Sequence, residues 1–332
     1  MIFDTLAEVN CDEIFLQLHD FLPRSQCYVK LENLNLAGSV KLKAAVAMID
    51  ALEAEGRLMP GGEIVESSSG NLGVALAMVC AERGYKFTCV TDPNASPKNI
   101  AHMRAYGADI IVVEQFSSGG FVKERLKIVS ALLAHNPAMI WTDQYSNKHN
   151  AQIHFQTTAS SIHKNIPDID YLFLGLGSSG TFMGCAQYFA QHKPDVKIIA
   201  VDPDGSILFG PQAKPRYVPG IGGSVRPALL DPDMAFDSVT VTEADTLAMC
   251  RQQAKQRGWL IGGSTGTVLA GIQQYQAKIA AGSKVVMLAA DYGGNYLETI
   301  YNDDWAGMVT AKSLQSQQEK QTAQSPAGHV VV

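Results

Sequence analysis

Short apolar runs alternate along the chain with longer stretches in which apolar residues recur every three or four positions. The short runs predict strands, and the longer stretches predict helices. In the first half, the predicted strands are 28–31, 64–66, 87–90, 110–113 and 139–141, and the predicted helices are 40–55, 72–83, 97–106 and 121–134. Gly56, Gly84 and Gly107 each follow a predicted helix, in the position where glycine commonly ends one.

The second half of the chain repeats this pattern. Its predicted strands are 171–174, 197–201 and 285–288, and its predicted helices are 149–163, one that ends at 188, 244–257 and one that ends at 280. A proline-rich loop occupies 202–237. Strands that alternate with helices are typical of an α/β fold with open, mostly parallel sheets flanked by helices. From residue 312 the composition turns to Gln, Ser and Lys, so we expect 311–332 to be a disordered tail.

Length and composition limit the classes of protein that the chain can form. It has 332 residues, 46% hydrophobic and 17% charged, enough for about two domains with sizeable cores. A net charge of −6 without a basic stripe argues against nucleic acid as a partner. Apolar runs long enough to span a membrane are missing, and the N-terminus does not resemble a secretory signal, so we expect a cytoplasmic protein.

Cysteine and histidine spacing gives no sign of a metal site. The six cysteines include no C-x-x-C pair, and the eight histidines form no cluster with them. This spacing predicts buried, reduced thiols and no bound metal.

Lys41 stands at the predicted start of the first long helix, at the end of the segment Asn35–Lys41. A lysine held there can form a Schiff base with an aldehyde once it loses its proton, and desolvation promotes that loss. The ordinary alternative is a solvated surface charge. Lys41 taken alone does not distinguish the two.

A turn of small polar residues, Ser67–Asn71, joins a predicted strand to the next predicted helix. An ordinary helix cap is one interpretation, but a cap needs only one Ser or Asn. The run of Ser67, Ser68, Ser69 and Gly70 favours a site where hydroxyl and backbone N–H groups hold a carboxylate. Asn71 would then be free to bond an oxygen of a cofactor.

Two glycine-rich segments also open predicted helices. Gly175–Thr181 follows the strand at 171–174 and presents backbone N–H groups that suit a phosphate. Gly262–Gly266 contains Ser264, which either caps its helix or faces a cofactor ring. A helix-start lysine, an anion-binding turn and a phosphate loop together suggest an enzyme that uses pyridoxal phosphate (PLP).

The same Gly175–Gly180 segment fits the pattern G-x-G-x-x-G, and Asp202 follows the next predicted strand. These are features of a dinucleotide site, so an NAD-dependent oxidoreductase remains an alternative. That alternative gives no role to Lys41 or to Ser67–Asn71.

Six motifs in this order resemble the cysteine synthase/cystathionine β-synthase family of PLP enzymes, over roughly residues 10 to 305. The motifs are Gly38–Lys41, Ser68–Asn71, Gln144–Asn147, Gly177–Thr181, Gly220–Gly222 and Gly262–Ser264. The resemblance implies fold type II, similar to the tryptophan synthase β subunit, with two open and mostly parallel sheets. It also implies a homodimer that acts on small amino-acid substrates.

The resemblance implies a role for each matching residue. Lys41 would carry PLP and act as acid and base, and Asn71 would bond the ring 3′ oxygen. Ser264 would face the pyridine nitrogen. Gly177, Ser178, Ser179, Gly180 and Thr181 would hold the cofactor phosphate. Ser67, Ser68, Ser69, Gly70 and Gln144 would hold the substrate carboxylate.

Around the lysine, the family usually has Asn-Pro and Lys-Asp-Arg, whereas this chain has Asn35-Leu36 and Lys41-Leu42-Lys43. This departure argues against plain cysteine synthesis from O-acetylserine or O-phosphoserine and sulfide, which stays the alternative within the family. One branch of the family is closer in sequence. Its similarity lies in Glu66–Gly73, Asp202–Gly210, Pro219–Gly222 and Tyr301–Trp305.

That branch joins O-phospho-L-serine to L-glutamate in the biosynthesis of 2,3-diaminopropionate, which serves siderophores and peptide antibiotics. The resemblance therefore implies a β-replacement that passes through an aminoacrylate, with phosphate as the leaving group. By position in the branch, Arg125, Tyr145 and Ser178 are candidates to bind that phosphate. The ordinary alternative for Arg125 is a solvated helix face shared with Lys123 and Lys127.

We expect two domains with the cofactor between them. Residues 1–38 and 146–310 would form the larger, PLP-binding domain. Residues 39–145 would form a smaller, mobile domain that carries Lys41 and the serine turn, and its closure would exclude water.

Overall fold

The computed structural model of the chain describes residues 2–9, 12–115 and 120–324. Within these ranges the strands are β1 Phe15–Gln17, β2 Gln26–Leu31, β3 Glu63–Ser67, β4 Lys86–Thr91, β5 Asp109–Val112, β6 Ile140–Trp141, β7 Tyr171–Gly175, β8 Lys197–Pro203, β9 Asp237–Val241 and β10 Lys284–Ala289. The α-helices are α1 Lys41–Ala54, α2 Asn71–Arg83, α3 Pro97–Ala105, α4 Gly120–His135, α5 Lys148–Ile153, α6 Ser160–Asn165, α7 Gly180–His192, α8 Glu243–Arg257, α9 Gly263–Tyr275 and α10 Asp303–Gln324.

The larger sheet has six strands in the order β1-β2-β10-β7-β8-β9. All neighbours are parallel except β1 and β2, which pair antiparallel at one edge. In the register of the central strands, Met287 lies between Val29 and Phe173. Separate buried apolar clusters contain residues from these strands, one with α9 and the other with α7. The sheet is therefore covered on both faces, as a parallel sheet requires.

The smaller sheet has four parallel strands in the order β5-β4-β3-β6. Helices α1 and α2 cover it with a buried cluster that includes Met48, Leu76 and Met103. A second cluster, around Val65 and Val129, lies under α4. Two open, mostly parallel sheets flanked by helices confirm the predicted fold class.

The loops beyond the carboxyl ends of three strands face one region between the sheets. β3 ends at Ser67, β7 ends at Gly175 and β10 ends at Ala289. The backbone N–H of Val40, just before α1, donates to the carbonyl oxygen of Ala290 at 2.8 Å. In open α/β sheets, ligands bind at this end of the strands. The fold therefore brings the start of α1 to the edge where a ligand is expected.

Most predicted elements are confirmed, with differences that have local causes. β1 and β9 are absent from the prediction, because β1 has three residues and β9 alternates half-buried with exposed polar positions. The helix predicted to end at 280 ends at Tyr275 and continues only as a 3-10 turn, Gln276–Lys278. The predicted helix 149–163 is α5, one turn of π-helix at His154–Ala159, and α6.

The prediction of disorder from residue 311 is wrong for residues 311–324, which belong to α10. Contacts with neighbouring segments hold this part of the helix against the fold. Ser313 Oγ accepts from the backbone N–H of Ala244 at 3.3 Å, Lys214 Nζ donates to Ser316 Oγ at 3.2 Å, and Lys312 Nζ lies 4.5 Å from the centre of the Tyr217 ring. Polar composition misled the prediction because these contacts are themselves polar. Residues 325–332 lie outside the described residues.

The thiols match the prediction wherever the structure describes them. Cys27, Cys80, Cys89, Cys185 and Cys250 are buried and free of disulfides. Burial raises the pKa of the Cys89 thiol to about 12, so this thiol stays protonated at neutral pH. Cys11 lies outside the described residues.

Across the described ranges, the structure contains no group of three or more His, Cys, Asp or Glu side chains arranged to hold a metal ion. None of the helices in those ranges combines the length and the apolar character needed to cross a membrane.

Candidate active site

Lys41 is the first residue of α1, and its backbone N–H donates to Ser39 Oγ at 3.4 Å. Its Nζ lies 3.5 Å from Ser178 Oγ, so the lysine reaches from the smaller sheet to the glycine-rich loop after β7. Burial lowers the pKa of Lys41 from 10.5 to about 8, and the nearby Asp291 carboxylate opposes that change. A substantial fraction of this amine is therefore neutral near physiological pH, as nucleophilic attack on an aldehyde requires.

A cleft surrounds the Lys41 side chain, with about 790 Å³ of space free of protein atoms, its open mouth included. All eight residues predicted to contact the cofactor line it. These residues are Lys41, Asn71, Gly177, Ser178, Ser179, Gly180, Thr181 and Ser264. Val268 and Leu288 give its wall an apolar part. The structure thus brings together the eight positions that were chosen from four separate motifs.

Ser179 is the residue just before α7, and its backbone is left-handed, with φ +67°. This conformation is uncommon for a residue other than glycine, and such strain clusters at functional sites. The Ser179 hydroxyl is buried, and it has no hydrogen-bond partner. An unsatisfied hydroxyl beside the free N–H groups of a helix start fits a phosphate that both would bind.

Gly180 follows in the same loop and lies against Asn150. A Cβ at position 180 would overlap the Asn150 side-chain amide and would force it to move. Asn150 Nδ2 donates to Ser178 Oγ at 3.1 Å and to the Gln144 carbonyl oxygen at 2.7 Å. Asn150 was not predicted as a site residue, yet it links the phosphate loop to the segment that holds Gln144.

Ser264 lies in the first turn of α9, but it is not the helix cap. The cap position is occupied by Gly262, and no side-chain hydrogen bond caps the helix. Of the two predicted interpretations of Ser264, the capping one is therefore wrong. The Ser264 side chain lines the cleft instead.

Asn71 is the first residue of α2 and faces the loop after β10. Its Nδ2 donates to Asp291 Oδ2 at 2.8 Å, and the Tyr296 hydroxyl donates to the same oxygen. Burial raises the pKa of Asp291, against the hydrogen bonds from Tyr296 and Asn71 and the charge of Lys41. Neither Asp291 nor Tyr296 was predicted as a site residue, because both lie far from Asn71 in sequence.

The residues of the serine turn differ in their hydrogen bonds. Ser68 Oγ accepts from the backbone N–H groups of Gly70 at 3.3 Å and Gly73 at 3.1 Å, so Ser68 caps α2. The Ser67 hydroxyl is buried without a hydrogen-bond partner. Ser69 and Gly70 are half-buried at the tip of the turn. The capping interpretation therefore applies to Ser68, and carboxylate binding by the turn stays a prediction.

Gln144 lies beside the serine turn, as predicted. Its Nε2 donates to the Ser67 carbonyl oxygen at 3.0 Å. Glu66, which was not predicted, holds the same two segments together: its carboxylate accepts from the backbone N–H of Ser67 at 2.7 Å and of Gln144 at 3.1 Å. It also accepts from Trp141 Nε1 and Thr142 Oγ1. Burial raises the pKa of Glu66, while these four hydrogen bonds favour its charged form.

Arg125 is not on a solvated helix face, because its side chain is only 4% exposed. Its Nε lies 3.3 Å from Asp92 Oδ2, yet neither Nε nor Nη1 has a hydrogen-bond partner. Burial raises the pKa of Tyr145, and the positive charge of Arg125 is the largest opposing influence. The charge of Arg125 therefore acts on the Tyr145 hydroxyl. Neither residue lines the cleft around Lys41.

His154 is a further residue that the sequence did not suggest. It is fully buried, and its ring nitrogens lie 2.9 Å from Thr158 Oγ1 and 3.2 Å from Thr181 Oγ1. Burial, with the charges of Lys43, Lys41 and Lys30, lowers the pKa of His154 well below 6.5. A neutral imidazole thus supports the hydroxyl of Thr181 in the phosphate loop.

A larger open groove lies elsewhere, between α1 and the segment that follows α4. Met48, Leu52, Met139 and Trp141 give it an apolar floor. It contains none of the predicted site residues. The groove is larger than the cleft around Lys41, but it lacks the lysine and the glycine-rich loops that line the cleft.

Asp202 is the residue that would bind a ribose in a dinucleotide site. One oxygen of its carboxylate instead bonds the loop that follows β8. Asp202 is 1% exposed, and its Oδ2 accepts from the backbone N–H of Phe209 at 3.0 Å. Its Oδ1 is buried without a hydrogen-bond partner, and Asp202 is not among the residues that line the cleft around Lys41.

Comparison with known proteins gives one family for almost the whole chain. The model described as "Pyridoxal-phosphate dependent enzyme" matches residues 15–291. The N-(2-amino-2-carboxyethyl)-L-glutamate synthase of Ralstonia nicotianae is 38% identical over 309 residues, which cover 92% of this chain and 90% of that protein.

Solved structures show the same fold. O-ureido-L-serine synthase superimposes with a TM-score of 0.85 at 28% identity, covering 92% of this chain and 98% of its own. A hydrogen sulfide-producing enzyme from Fusobacterium nucleatum superimposes with a TM-score of 0.84 at 30% identity, covering 89% and 100%.

These matches decide between the two interpretations of Gly175–Gly180. The family match shows that the NAD-dependent alternative is wrong. The match to residues 15–291 also spans all six motifs that carried the resemblance. The chain belongs to the family of pyridoxal-phosphate dependent enzymes, and pyridoxal phosphate is its cofactor.

Proposed function

We propose that this enzyme replaces the phosphate of O-phospho-L-serine with the amino group of L-glutamate. The products are N-(2-amino-2-carboxyethyl)-L-glutamate and inorganic phosphate. The Cβ–O bond breaks, phosphate leaves with the bonding electrons, and the glutamate nitrogen forms a Cβ–N bond as it loses a proton. The observation that carries the proposal is the cleft around Lys41, together with 38% identity to a synthase of that name.

The residues of the cleft fit PLP on two observations of this chain. The pKa of the Lys41 amine is lowered to about 8. The Ser179 hydroxyl, which lies beside the free N–H groups at the start of α7, is buried and has no hydrogen-bond partner. Lys41 would hold the aldehyde carbon, Asn71 the ring 3′ oxygen and Ser264 the pyridine nitrogen, while Gly177–Thr181 would hold the phosphate. When bound, PLP supplies an electron sink for the charge left on Cα.

Lys41 is the proposed acid and base of the reaction. Its amine would remove the proton from Cα and return a proton to the same atom after the Cβ–N bond has formed. A pKa near 8 suits both transfers, because efficient acid–base groups have pKa values near the working pH. Ser178 Oγ, at 3.5 Å from Nζ, would orient the lysine between these steps.

The substrate carboxylate is proposed to bind at Ser67–Gly70 and Gln144. Support comes from the Ser67 hydroxyl, which is buried without a partner, and from the hydrogen bond that joins Gln144 to Ser67. Glu66 would keep the two segments at a fixed separation through its four hydrogen bonds.

The leaving phosphate is proposed to bind at Arg125, Tyr145 and Ser178. The Arg125 guanidinium is ion-paired with Asp92, but two of its buried nitrogens have no hydrogen-bond partner, which is costly unless an anion completes those bonds. Planar bidentate contacts make arginine well suited to a phosphate. Arg125 lies beyond the cleft wall, so the proposal includes movement of the unit formed by residues 39–145 toward the phosphate loop.

The alternative is cysteine synthase activity, with sulfide as the nucleophile. The similarity to a hydrogen sulfide-producing enzyme favours it. The proposed assembly is a homodimer in the cytoplasm, and the proposed pathway leads to 2,3-diaminopropionate for a siderophore or peptide antibiotic.

One experiment separates the two activities. The purified protein, loaded with PLP, is supplied with O-phosphoserine or O-acetylserine as donor and with L-glutamate or sulfide as acceptor, and products are identified by mass spectrometry. The proposal requires the glutamate adduct and phosphate from O-phosphoserine. Cysteine from O-acetylserine and sulfide, without the glutamate adduct, would replace it with the alternative. The Lys41→Ala variant is the control for reactions that do not use the cleft.

A further inference from the structure

Asp291 lies two residues beyond the end of β10, with 4% of its surface exposed. Ser39 and Asp291 form an antiparallel backbone bridge, and the Val40 N–H donates to the Ala290 carbonyl oxygen at 2.8 Å. Asp291 is therefore held directly beside the segment that ends in Lys41. It has no part in the proposed bond-making steps.

Two donors converge on a single oxygen of this carboxylate. Asn71 Nδ2 and the Tyr296 hydroxyl both donate to Asp291 Oδ2. Burial, with the adjacent charge of Asp291, raises the pKa of Tyr296 well above 10, so its hydroxyl keeps the proton that it donates. The oxygen that accepts from the Tyr296 hydroxyl is also the acceptor that faces Asn71. The amide of Asn71 must therefore turn its nitrogen, and not its oxygen, toward Asp291.

This orientation has a consequence for the other side of Asn71. An amide nitrogen carries two N–H groups. One N–H points to Asp291 at 2.8 Å, which leaves the second for the cleft that Asn71 lines. With the amide reversed, two electronegative oxygens would oppose one another in a buried site. The carboxylate thus selects the amide orientation that can donate to an oxygen on the cofactor ring.

The same side chain packs against the loop that opens α9. A Cβ at position 262 would overlap Asp291 Oδ1, so Gly262 is the only residue that leaves room for this carboxylate. Ser264 follows two residues later and lines the cleft. Asp291 therefore touches, or lies beside, the three loops that carry Lys41, Asn71 and Ser264.

We propose that Asp291 is a positioning residue for the cofactor: it fixes the Asn71 amide so that an N–H faces the ring oxygen. The negative charge of Asp291, held beside the segment that ends in Lys41, also favours the ammonium form of that lysine. This inference rests on the proposed roles of Asn71 and Lys41, and is independent of which donor and acceptor the enzyme uses. The titratable groups that face Asp291 are Lys41, Tyr296, Cys250 and Tyr301.

Two substitutions separate the two effects. Asp291→Asn keeps an acceptor oxygen for Asn71 and Tyr296 but removes the charge. Asp291→Ala removes both the acceptor and the charge. The readouts are the dissociation constant of PLP, the absorption band of bound PLP, and the rate at which PLP-free protein captures added PLP as a function of pH.

We expect Asp291→Ala to weaken PLP binding by about tenfold or more, since a charge-assisted hydrogen bond to Asn71 is lost, and to shift the absorption band. We expect Asp291→Asn to keep most of the affinity, while its capture profile moves to lower pH. The direction follows because, without the adjacent negative charge, Lys41 loses its proton more readily.

Tyr296→Phe is the matched control. It removes one donor from Asp291 but leaves the bond to Asn71, so it should keep most of the wild-type affinity for PLP. Thermal unfolding of the PLP-free variants identifies any general loss of structure. The inference is overturned if folded Asp291→Ala binds PLP as tightly as the wild type and with the same absorption band. If borohydride reduction of the wild-type holoenzyme attaches PLP somewhere other than Lys41, the proposed function fails instead.

Discussion

The carboxylate of Glu66 accepts a hydrogen bond of 3.1 Å from the backbone N–H of Gln144, which lies 78 positions away in the sequence. The same carboxylate accepts from the N–H of Ser67, its immediate neighbour, at 2.7 Å. One buried charge therefore sets the separation of the two segments proposed to hold the substrate carboxylate. The geometry of that subsite depends on a residue that never needs to touch the substrate.

Glu66→Gln should weaken substrate binding more than it slows the chemical step. Glutamine offers one acceptor oxygen where the carboxylate offers two, so part of the set of four donors loses its partner. We expect the KM for the amino-acid donor to rise about tenfold, and the free energy of unfolding to fall by about 1–3 kcal/mol. Steady-state kinetics and urea unfolding measure the two effects.

Glu63→Gln on the same strand is the matched control for Glu66→Gln. Glu63 is partly exposed and pairs with Lys86 at 2.9 Å, so little change is expected in either quantity. An unchanged KM in folded Glu66→Gln would show that the carboxylate serves stability alone.

Lys41 should destabilise the PLP-free protein at neutral pH. The pKa of Lys41 is about 8 in the folded protein against 10.5 for an ordinary lysine, so between these values the unfolded chain binds more protons. Stability should therefore rise as pH increases through this window. Lys41→Met removes the titrating group, so this variant should be more stable than the wild type at neutral pH. The difference should shrink as pH rises from about 8 to above 10.5.

Urea unfolding of PLP-free wild type and Lys41→Met at several pH values measures this trend. Comparison with Lys255→Met corrects for the general effect of pH, since Lys255 is an exposed residue of α8. A stability difference between Lys41→Met and the wild type that does not vary with pH would contradict the lowered pKa.

Gly180→Ala should damage the phosphate loop. The added Cβ would overlap the Asn150 amide and displace the nitrogen that donates to Ser178 Oγ. We expect a stability loss of about 1–3 kcal/mol and weaker PLP binding. Absorption titration with PLP and thermal unfolding measure the two.

Gly177→Ala is the steric control for Gly180→Ala. A Cβ at Gly177 would meet only the Gly220 carbonyl oxygen, at an ordinary distance of 3.8 Å, so its stability should remain near that of the wild type. Equal losses of stability in the two variants would show that the position of the Asn150 amide does not require a glycine at position 180.

Much of the cofactor cleft could be predicted from the sequence because its parts are local. Lys41, the Ser179 loop and Ser264 each stand at a helix start, and glycine-rich helix starts are visible as short motifs. In a parallel sheet, the helices that follow the strands all begin at the same edge, so these helix starts are expected to lie close together. The eight predicted positions meet in one cleft for this reason.

The supporting residues could not be predicted, because their roles depend on contacts between distant segments. Asp291 matters through Asn71, and Asn150 matters through Ser178. Arg125 lies between two other basic residues in sequence, and a solvated helix face was an equally good interpretation until its burial was seen. Single-sequence patterns report local preference, whereas these side chains are placed by the packing of whole elements.

Arg125→Met should distinguish the two possible donors. If the buried guanidinium binds the leaving phosphate, the KM for O-phosphoserine should rise by about tenfold or more, whereas that for O-acetylserine should change little. The substitution also leaves Asp92 buried without its ion-pair partner at 3.3 Å, so stability should fall.

The double variant Arg125→Met/Asp92→Asn controls for that uncompensated charge. It should recover stability but not affinity for O-phosphoserine. Equal losses of affinity for both donors in the double variant would argue that Arg125 supports the fold and does not contact the leaving group.

Removal of residues 312–332 should destabilise the protein, because α10 is part of the folded structure. Ser313 accepts from the start of α8, and Lys312 stacks on Tyr217. The backbone N–H groups of Tyr217 and Val218 both donate to Glu243, so α10 and α8 hold the same loop. That loop continues to Gly220, which lines the PLP cleft.

We therefore expect the truncated protein to unfold at a lower temperature and to bind PLP more weakly. Ser313→Ala should lose about 1 kcal/mol through its single hydrogen bond. Gln315→Ala, on the exposed side of the same helix, should lose almost nothing. A truncated protein with wild-type unfolding temperature and PLP affinity would restore the interpretation of this segment as a tail that does not contribute to the fold.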